Sequence, residues 1–152
     1  MNEVLRAQEI LAERFGVASD VWSATSYTEL RREALEVERW NLLHPEAEAR
    51  VPFVAQLLGD GVPVVAASDY VKALPDGVAK WVPGRLVSLG TDGFGRSETR
   101  EALRDHFEVD RNHIAFAALA ALVREETIPA RVAVEARATL GIDAERGDPA
   151  RA

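Results

Sequence analysis

Hydrophobic positions follow a helical period in some segments of the chain and form short unbroken runs in others. Near the start, four apolar side chains recur every three or four residues: Val4, Ala7, Leu11 and Phe15. This spacing predicts an amphipathic helix over residues 2–15, and Gly16 is suited to end it. Ser26 and Glu29 stand at the spacing of a capping box, which predicts that a second helix begins at Tyr27.

Short apolar runs predict three strands, over residues 20–25, 62–67 and 85–89. Helices are predicted between and after these strands, over residues 27–41, 52–58, 69–82, 98–107, 112–123 and 129–140. Pro75 and Gly77 predict that the helix over residues 69–82 is irregular or broken. Strands that alternate with helices are typical of an α/β fold in which helices cover both faces of a parallel sheet.

A glycine-rich loop, GTDGFGRS at residues 90–97, follows the last predicted strand. Its glycines lack the G-x-G-x-x-G spacing of a dinucleotide site, and the charge of Asp92 would repel a phosphate. The simplest prediction is a tight turn after which Ser97 caps the next helix. That prediction leaves Phe94 unexplained, and loops at strand ends of open α/β sheets are where ligands and partners bind. A partner-facing loop and a phosphate-binding loop therefore stay open as alternatives.

No complete catalytic constellation stands out in the sequence. The three histidines lack the spacing of zinc motifs: His44, His106 and His113. No G-x-S-x-G segment offers a serine nucleophile. Asp69 and Asp92 each follow a predicted strand, so their carboxylates could lie together at one edge of the sheet, although helix capping is the simpler role for each.

Charge and composition narrow the class of partner. The net charge of −7 over 152 residues argues against nucleic acid or an anionic membrane, because both require a basic surface. The absence of cysteine excludes disulfides and thiolate metal sites and suits a cytoplasmic location. No apolar run approaches the roughly 20 residues that cross a bilayer. The composition therefore favours a cytoplasmic globular domain.

Three segments resemble a single enzyme family: ERWNLLHP at residues 38–45, GTDGFGRS at 90–97 and REALRDHFEVD at 100–110. They are similar to the C-terminal domain of the homodimeric bacterial pyruvate dehydrogenase decarboxylating component, within the wider transketolase-like family. The resemblance extends over nearly the whole chain. It implies a three-layer α/β/α fold on a mostly parallel five-stranded sheet with one reversed strand.

The same resemblance implies that the parent enzyme decarboxylates pyruvate with thiamine diphosphate and Mg²⁺. In that family the cofactor sits between other domains of the dimer, so no catalytic, cofactor-binding or metal-binding residue carries over to this chain. What does carry over is an interface loop: Thr91, Asp92, Phe94, Arg96 and Ser97. The implied partners are the remaining domains of the parent subunit, the second subunit of the homodimer and the lipoyl acyltransferase component of the complex.

The family's first strand should lie just before Met1, so we expect a domain over residues 1–144 that lacks this strand. A flexible tail is expected over residues 145–152, which are rich in glycine, proline and charge. Three functions stay open at this point. The first is a structural and assembly domain that is not catalytic by itself, and the second is a stand-alone interaction module that docks on a full-length homologue. The third is a small nucleotide-binding protein that uses the glycine-rich loop.

Overall fold

Helices pack around a small parallel sheet in the computed structural model, which describes residues 1–151. In chain order the elements are α1 (Asn2–Phe15), α2 (Tyr27–Leu43), α3 (Phe53–Leu57), β1 (Val64–Ala67), α4 (Ala73–Asp76), β2 (Leu86–Leu89), α5 (Arg100–His106), α6 (Arg111–Arg124) and α7 (Ala130–Thr139). Single turns of 3₁₀ helix lie at Ala79–Trp81 and Pro149–Arg151. The α/β class is therefore confirmed, and none of the helices within residues 1–151 combines the length and apolar character that a membrane span requires.

The sheet sets the position of the glycine-rich loop. β1 and β2 are parallel, with Val64 opposite Leu86 and the register unbroken to Ala67. Because the carboxyl ends of parallel strands meet at the same edge, the loops that begin at Ser68 and Gly90 leave the sheet side by side. This carboxyl edge holds the loop on which the functional prediction depends.

The predicted strand over residues 20–25 is wrong. This segment is an irregular connection, and Trp22 in it is 56% exposed. Within the described part of the chain, β1 and β2 pair only with each other. A strand is stable only where a neighbour satisfies its backbone N–H and carbonyl groups, so a high strand propensity without a neighbour does not form one. The sheet of residues 1–151 consequently has two strands, where the sequence predicted three.

Local signals explain where the helices begin and end. The hydroxyl of Ser26 accepts a hydrogen bond from the backbone N–H of Glu29 at 3.2 Å, which confirms the predicted start of α2. Gly16 ends α1 with a φ of +64°, a backbone conformation that glycine adopts without strain. The helix predicted over residues 69–82 is broken, as expected, into α4 and a separate 3₁₀ turn.

The principal core lies where α1 and α7 pack on α6. Its fully or largely buried members are Ala7, Leu11, Ile114, Ala115, Leu119, Ala136 and Leu140. α6 also packs against both strands, and its many alanines allow the neighbouring elements to approach closely. A second, smaller cluster of Val54, Val78 and Val82 lies near α2 and α3. The prediction that residues 112–123 form a deeply packed helix is thus confirmed.

Candidate functional site

Two loops are tied together at the carboxyl edge of the sheet. The backbone N–H of Thr91 donates to the carbonyl of Tyr70 at 3.0 Å, and the Thr91 hydroxyl donates to the carbonyl of Asp69 at 2.7 Å. Gly90 is buried beneath them, and a Cβ atom at this position would lie 2.5 Å from the Tyr70 carbonyl oxygen. Only glycine fits such a close approach, so the base of the glycine-rich loop is rigidly placed.

The Asp92 carboxylate is engaged within the same edge. Its Oδ1 accepts a hydrogen bond from the backbone N–H of Lys72 at 3.3 Å, and its Oδ2 lies 3.9 Å from the Lys72 Nζ. Lys72 immediately precedes α4, but within residues 1–151 no side-chain hydrogen bond caps this helix, so the Asp92 carboxylate ties the loop to the backbone of Lys72 and does not act as a helix cap. The two strand-end loops are therefore joined through the carbonyl of Asp69 and through Lys72. The negative charge of Asp92 in this loop disfavours a bound phosphate.

Phe94 projects from this rigid base into solvent. Its side chain is 86% exposed, which is unusual for a phenylalanine. Two further exposed apolar side chains, Tyr70 and Val71, lie on the loop to which Thr91 is bonded. The carboxyl edge thus presents apolar groups that nothing within residues 1–151 covers.

The glycine-rich loop also touches the C-terminal turn of the chain. Gly93 has a φ of +96°, and a Cβ atom there would lie 2.9 Å from the Cα of Ala150. Both facts require glycine at this position. Gly95, in contrast, has open space around its Cα, so the geometry places no such demand on it. Sequence reasoning did not detect the contact with Ala150, because no local pattern relates residues so far apart.

The predicted capping role of Ser97 is wrong. α5 begins at Arg100, and the hydroxyl of Thr99 accepts from the backbone N–H of Ala102 at 3.3 Å. Ser97 stands two residues too early, while the chain is still leaving the loop in an irregular conformation. Both residue types are good caps, and the position of the first free helical N–H decides between them. Ser97 is exposed and stays a member of the predicted interface loop.

Charged groups of both signs surround His106 at the end of α5. Burial lowers the pKa of His106, the positive charges of Arg96 and Arg146 lower it further, and the carboxylates of Asp105 and Glu108 oppose this shift without cancelling it. Its Nε2 atom is buried and has no hydrogen-bond partner among the described residues. The Arg146 guanidinium donates to the carbonyl and to the carboxylate of Asp105, both at 3.2 Å. The imidazole is therefore favoured in its neutral form. Arg96 is the residue of the interface loop whose charge contributes to lowering the pKa of His106.

A cluster of possible metal donors is the feature that sequence reasoning missed. Donor atoms of Asp105, Asp110 and His113 lie within 4.8 Å of one another. Burial raises the pKa of Asp110, but hydrogen bonds from the ring and the backbone N–H of His113 outweigh it and bring the pKa below its ordinary value. Asp110 thereby caps α6, and Arg146 pairs with Asp105. The i,i+3 spacing of Asp110 and His113 was the sequence signal that could have predicted this contact. The two residues interact at the first turn of α6, where Asp110 accepts from the backbone N–H of His113.

The fold and its strand-end loop define the class. The family described as transketolase-like TK C-terminal domain matches residues 1–110, and the chain belongs to that family. More narrowly, the chain is 48% identical over 150 residues to the pyruvate dehydrogenase E1 component of Haemophilus influenzae and 47% identical over 150 residues to that of Escherichia coli strain K12. The corresponding protein of Mycolicibacterium smegmatis is 45% identical over 144 residues.

These alignments cover unequal shares of the proteins compared. They include 98%, 98% and 94% of this chain but 17%, 17% and 16% of the three relatives. The chain therefore spans less than a fifth of the length of the curated relatives that it matches. The resemblance seen in the sequence motifs is confirmed, at the level of one domain of a much longer protein.

Proposed function

We propose that the chain acts as the C-terminal structural and assembly domain of a pyruvate dehydrogenase decarboxylating subunit and is not catalytic by itself. Identity of 48% to an E1 component over 150 residues supports the proposal. In this role the loop of Thr91, Asp92, Phe94, Arg96 and Ser97 faces a neighbouring domain or the second subunit of a homodimer. The observation that carries the proposal is the 86% exposure of Phe94 on a rigidly held loop.

An exposed aromatic side chain on a fixed base suits a protein interface. A phenylalanine buries a large apolar area when a partner covers it, and this burial makes a favourable contribution to the free energy of binding. Because Thr91 and Asp92 already hold the loop, little conformational entropy is lost when a partner binds. Arg96, two residues further along the loop, is also exposed, and arginine and aromatic residues dominate the energetics of many interfaces.

The activity of the whole subunit is also part of the proposal. It would decarboxylate pyruvate and transfer the acetyl group to the lipoyl acyltransferase component, in the cytoplasm. Thiamine diphosphate, bound with Mg²⁺, would supply the carbanion chemistry from a site between other domains of the subunit. The proposal gives the residues of this chain no contact with that cofactor, and it is supported by the engagement of Asp92 with Lys72 and of Asp110 with the start of α6. No catalytic step is assigned to them.

A chimera tests the assembly role directly. The matching 150-residue segment of the Escherichia coli E1 component would be replaced by this chain, and dimer dissociation and pyruvate decarboxylation would be measured. We expect a dimer with thiamine-diphosphate-dependent activity. Phe94→Ala in the chimera should weaken the dimer, or the docking of this domain, by about 30-fold, as the loss of an interface anchor does. Phe53→Ala is the matched control. Phe53 is exposed too, at 51%, but it lies on α3 and outside the interface loop.

Three results would count against the proposal. Equal behaviour of the two phenylalanine variants would remove the interface role of the loop. Decarboxylation of pyruvate by the isolated 152-residue chain would contradict the non-catalytic assignment. A stable complex between the separate chain and an intact E1 component, detected by light scattering, would favour the stand-alone interaction module.

A further inference from the structure

The C-terminal segment lies across the site at two points. Arg146 donates to the carbonyl and the carboxylate of Asp105, in α5 directly beyond the glycine-rich loop. The 3₁₀ turn Pro149–Arg151 then places Ala150 against Gly93, within the loop itself. The segment thus bridges the loop and the helix that follows it.

We propose that residues 146–151 form a strap that holds the glycine-rich loop in the conformation that presents Phe94. One end of the strap is fixed by the Arg146–Asp105 ion pair, and the other is seated on Gly93. The strap belongs to this chain alone, so it acts whether or not the proposed pyruvate dehydrogenase role is correct. Only its consequence for partner binding rests on that role.

The contact at Gly93 is steric and specific. Ala150 approaches so closely that any side chain at residue 93 would displace it, whereas residue 95 borders open space. The φ of +96° at Gly93 is a backbone conformation that residues other than glycine rarely adopt. Glycine is thus required at residue 93 for two reasons, the positive φ and the contact with Ala150. Such a close contact favours a strap that is packed on the loop over a tail that makes no specific contact.

The ion pair by itself would hold the strap weakly. The Arg146 side chain is 32% exposed and that of Asp105 58%, and exposed pairs contribute about 0–1 kcal/mol. Two weak anchors on one short segment restrain it better than either alone, because closing the first shortens the chain that the second must order. The composition of residues 145–152 predicts a flexible tail, whereas the strap requires an ordered segment. An experiment that measures the restraint on the loop distinguishes the two.

Limited trypsin digestion of the full chain measures the restraint. Trypsin cuts after Arg96 inside the exposed loop, and mass spectrometry follows that cut separately from the one after Arg50, on a distant connection. In a chain ending at Glu145, and in Arg146→Gln, cleavage after Arg96 should accelerate about fivefold or more. Cleavage after Arg50 should stay within error in both variants, and the melting temperature should fall by no more than about 4 °C, because the core is untouched.

A pair of glycine variants tests the seat of the strap. Gly93→Ala should accelerate cleavage after Arg96, and Gly95→Ala should not. In the chain ending at Glu145, Gly93→Ala should add a smaller acceleration than in the full chain, because the contact with Ala150 is already gone and only the backbone strain remains. Equal rates after Arg96 in the full and shortened chains would overturn the strap and support the flexible tail. An effect that appears equally at Arg50 would show general destabilisation and would equally overturn it.

Discussion

The hydroxyl of Thr91 donates a 2.7 Å hydrogen bond to the backbone carbonyl of Asp69, and this bond joins the loops that leave β1 and β2. The two residues are 22 positions apart and stand at equivalent places after their strands. The loop that carries Phe94 therefore starts from a fixed point. A partner that covers Phe94 would meet a surface that is already ordered.

Replacing Thr91 by valine should loosen this joint without creating a cavity. The variant keeps the side-chain volume and loses the hydroxyl, so we expect a loss of about 0.5–1.5 kcal/mol in the free energy of unfolding. Urea denaturation measures it. Thr139→Val is the control, because the Thr139 hydroxyl bonds to a carbonyl of its own helix and its loss should be close to neutral. A larger loss at Thr139 than at Thr91 would contradict the importance of the joint.

The start of α5 can be checked by removing one hydroxyl at a time. Thr99→Ala should destabilise the chain by about 1 kcal/mol, because Thr99 accepts from the N–H of Ala102. Ser97→Ala should change the free energy of unfolding by no more than about 0.5 kcal/mol, as exposed substitutions away from special contacts do. Thermal unfolding of both variants decides the matter. The reverse order would restore Ser97 as the helix cap.

The central position of α6 predicts a steep cost for truncating its core. Leu119 is fully buried between α1, α7 and the sheet, so Leu119→Ala should lower the free energy of unfolding by about 2–5 kcal/mol. Leu42 on α2 is 79% exposed, and Leu42→Ala should be nearly neutral in the isolated chain. Chemical denaturation of the two variants gives the comparison. Similar costs at both positions would mean that α2 packs against more of the molecule than the structure shows.

Stability should depend on the ionisation of Asp110. Its pKa in the folded chain lies below the ordinary carboxyl value of 3.8, because hydrogen bonds from His113 and Asn112 favour the carboxylate. The resulting stabilisation is present at neutral pH and is lost as the pH falls below about 4, where the unfolded chain takes up the proton first. Asp110→Asn keeps an acceptor for the helix start but has no charge. The stability difference from wild type should be largest near pH 7 and should shrink toward pH 3, and a difference that is constant with pH would contradict the mechanism.

Much of the fold follows from local sequence signals. The helical spacing from Val4 to Phe15, the capping by Ser26 and the stop at Gly16 were all recoverable, because each depends on residues within one or two helical turns. The buried character of α6 was equally clear from its unbroken apolar composition. Residue patterns also identified the family, through motifs that include the glycine-rich loop.

Other features depended on contacts between distant segments. The run over residues 20–25 has strand propensity, yet no neighbouring strand pairs with it within residues 1–151. Thr99 rather than Ser97 caps α5, since the path of the loop decides which hydroxyl reaches a free N–H. The ion pair between Arg146 and Asp105 spans 41 positions, and no local pattern relates the two residues.

By itself, the sequence determined the helical periods, most helix ends, the α/β class and the position of the loop after β2. Those properties arise from interactions over a few residues, which a pattern of side chains encodes directly. Only the tertiary structure decided that Asp92 accepts a hydrogen bond from Lys72, that Gly93 contacts Ala150 and that the side chain of Phe94 is exposed to solvent. Such relationships arise when separate elements pack together, and their free energy depends on a geometry that no single segment contains.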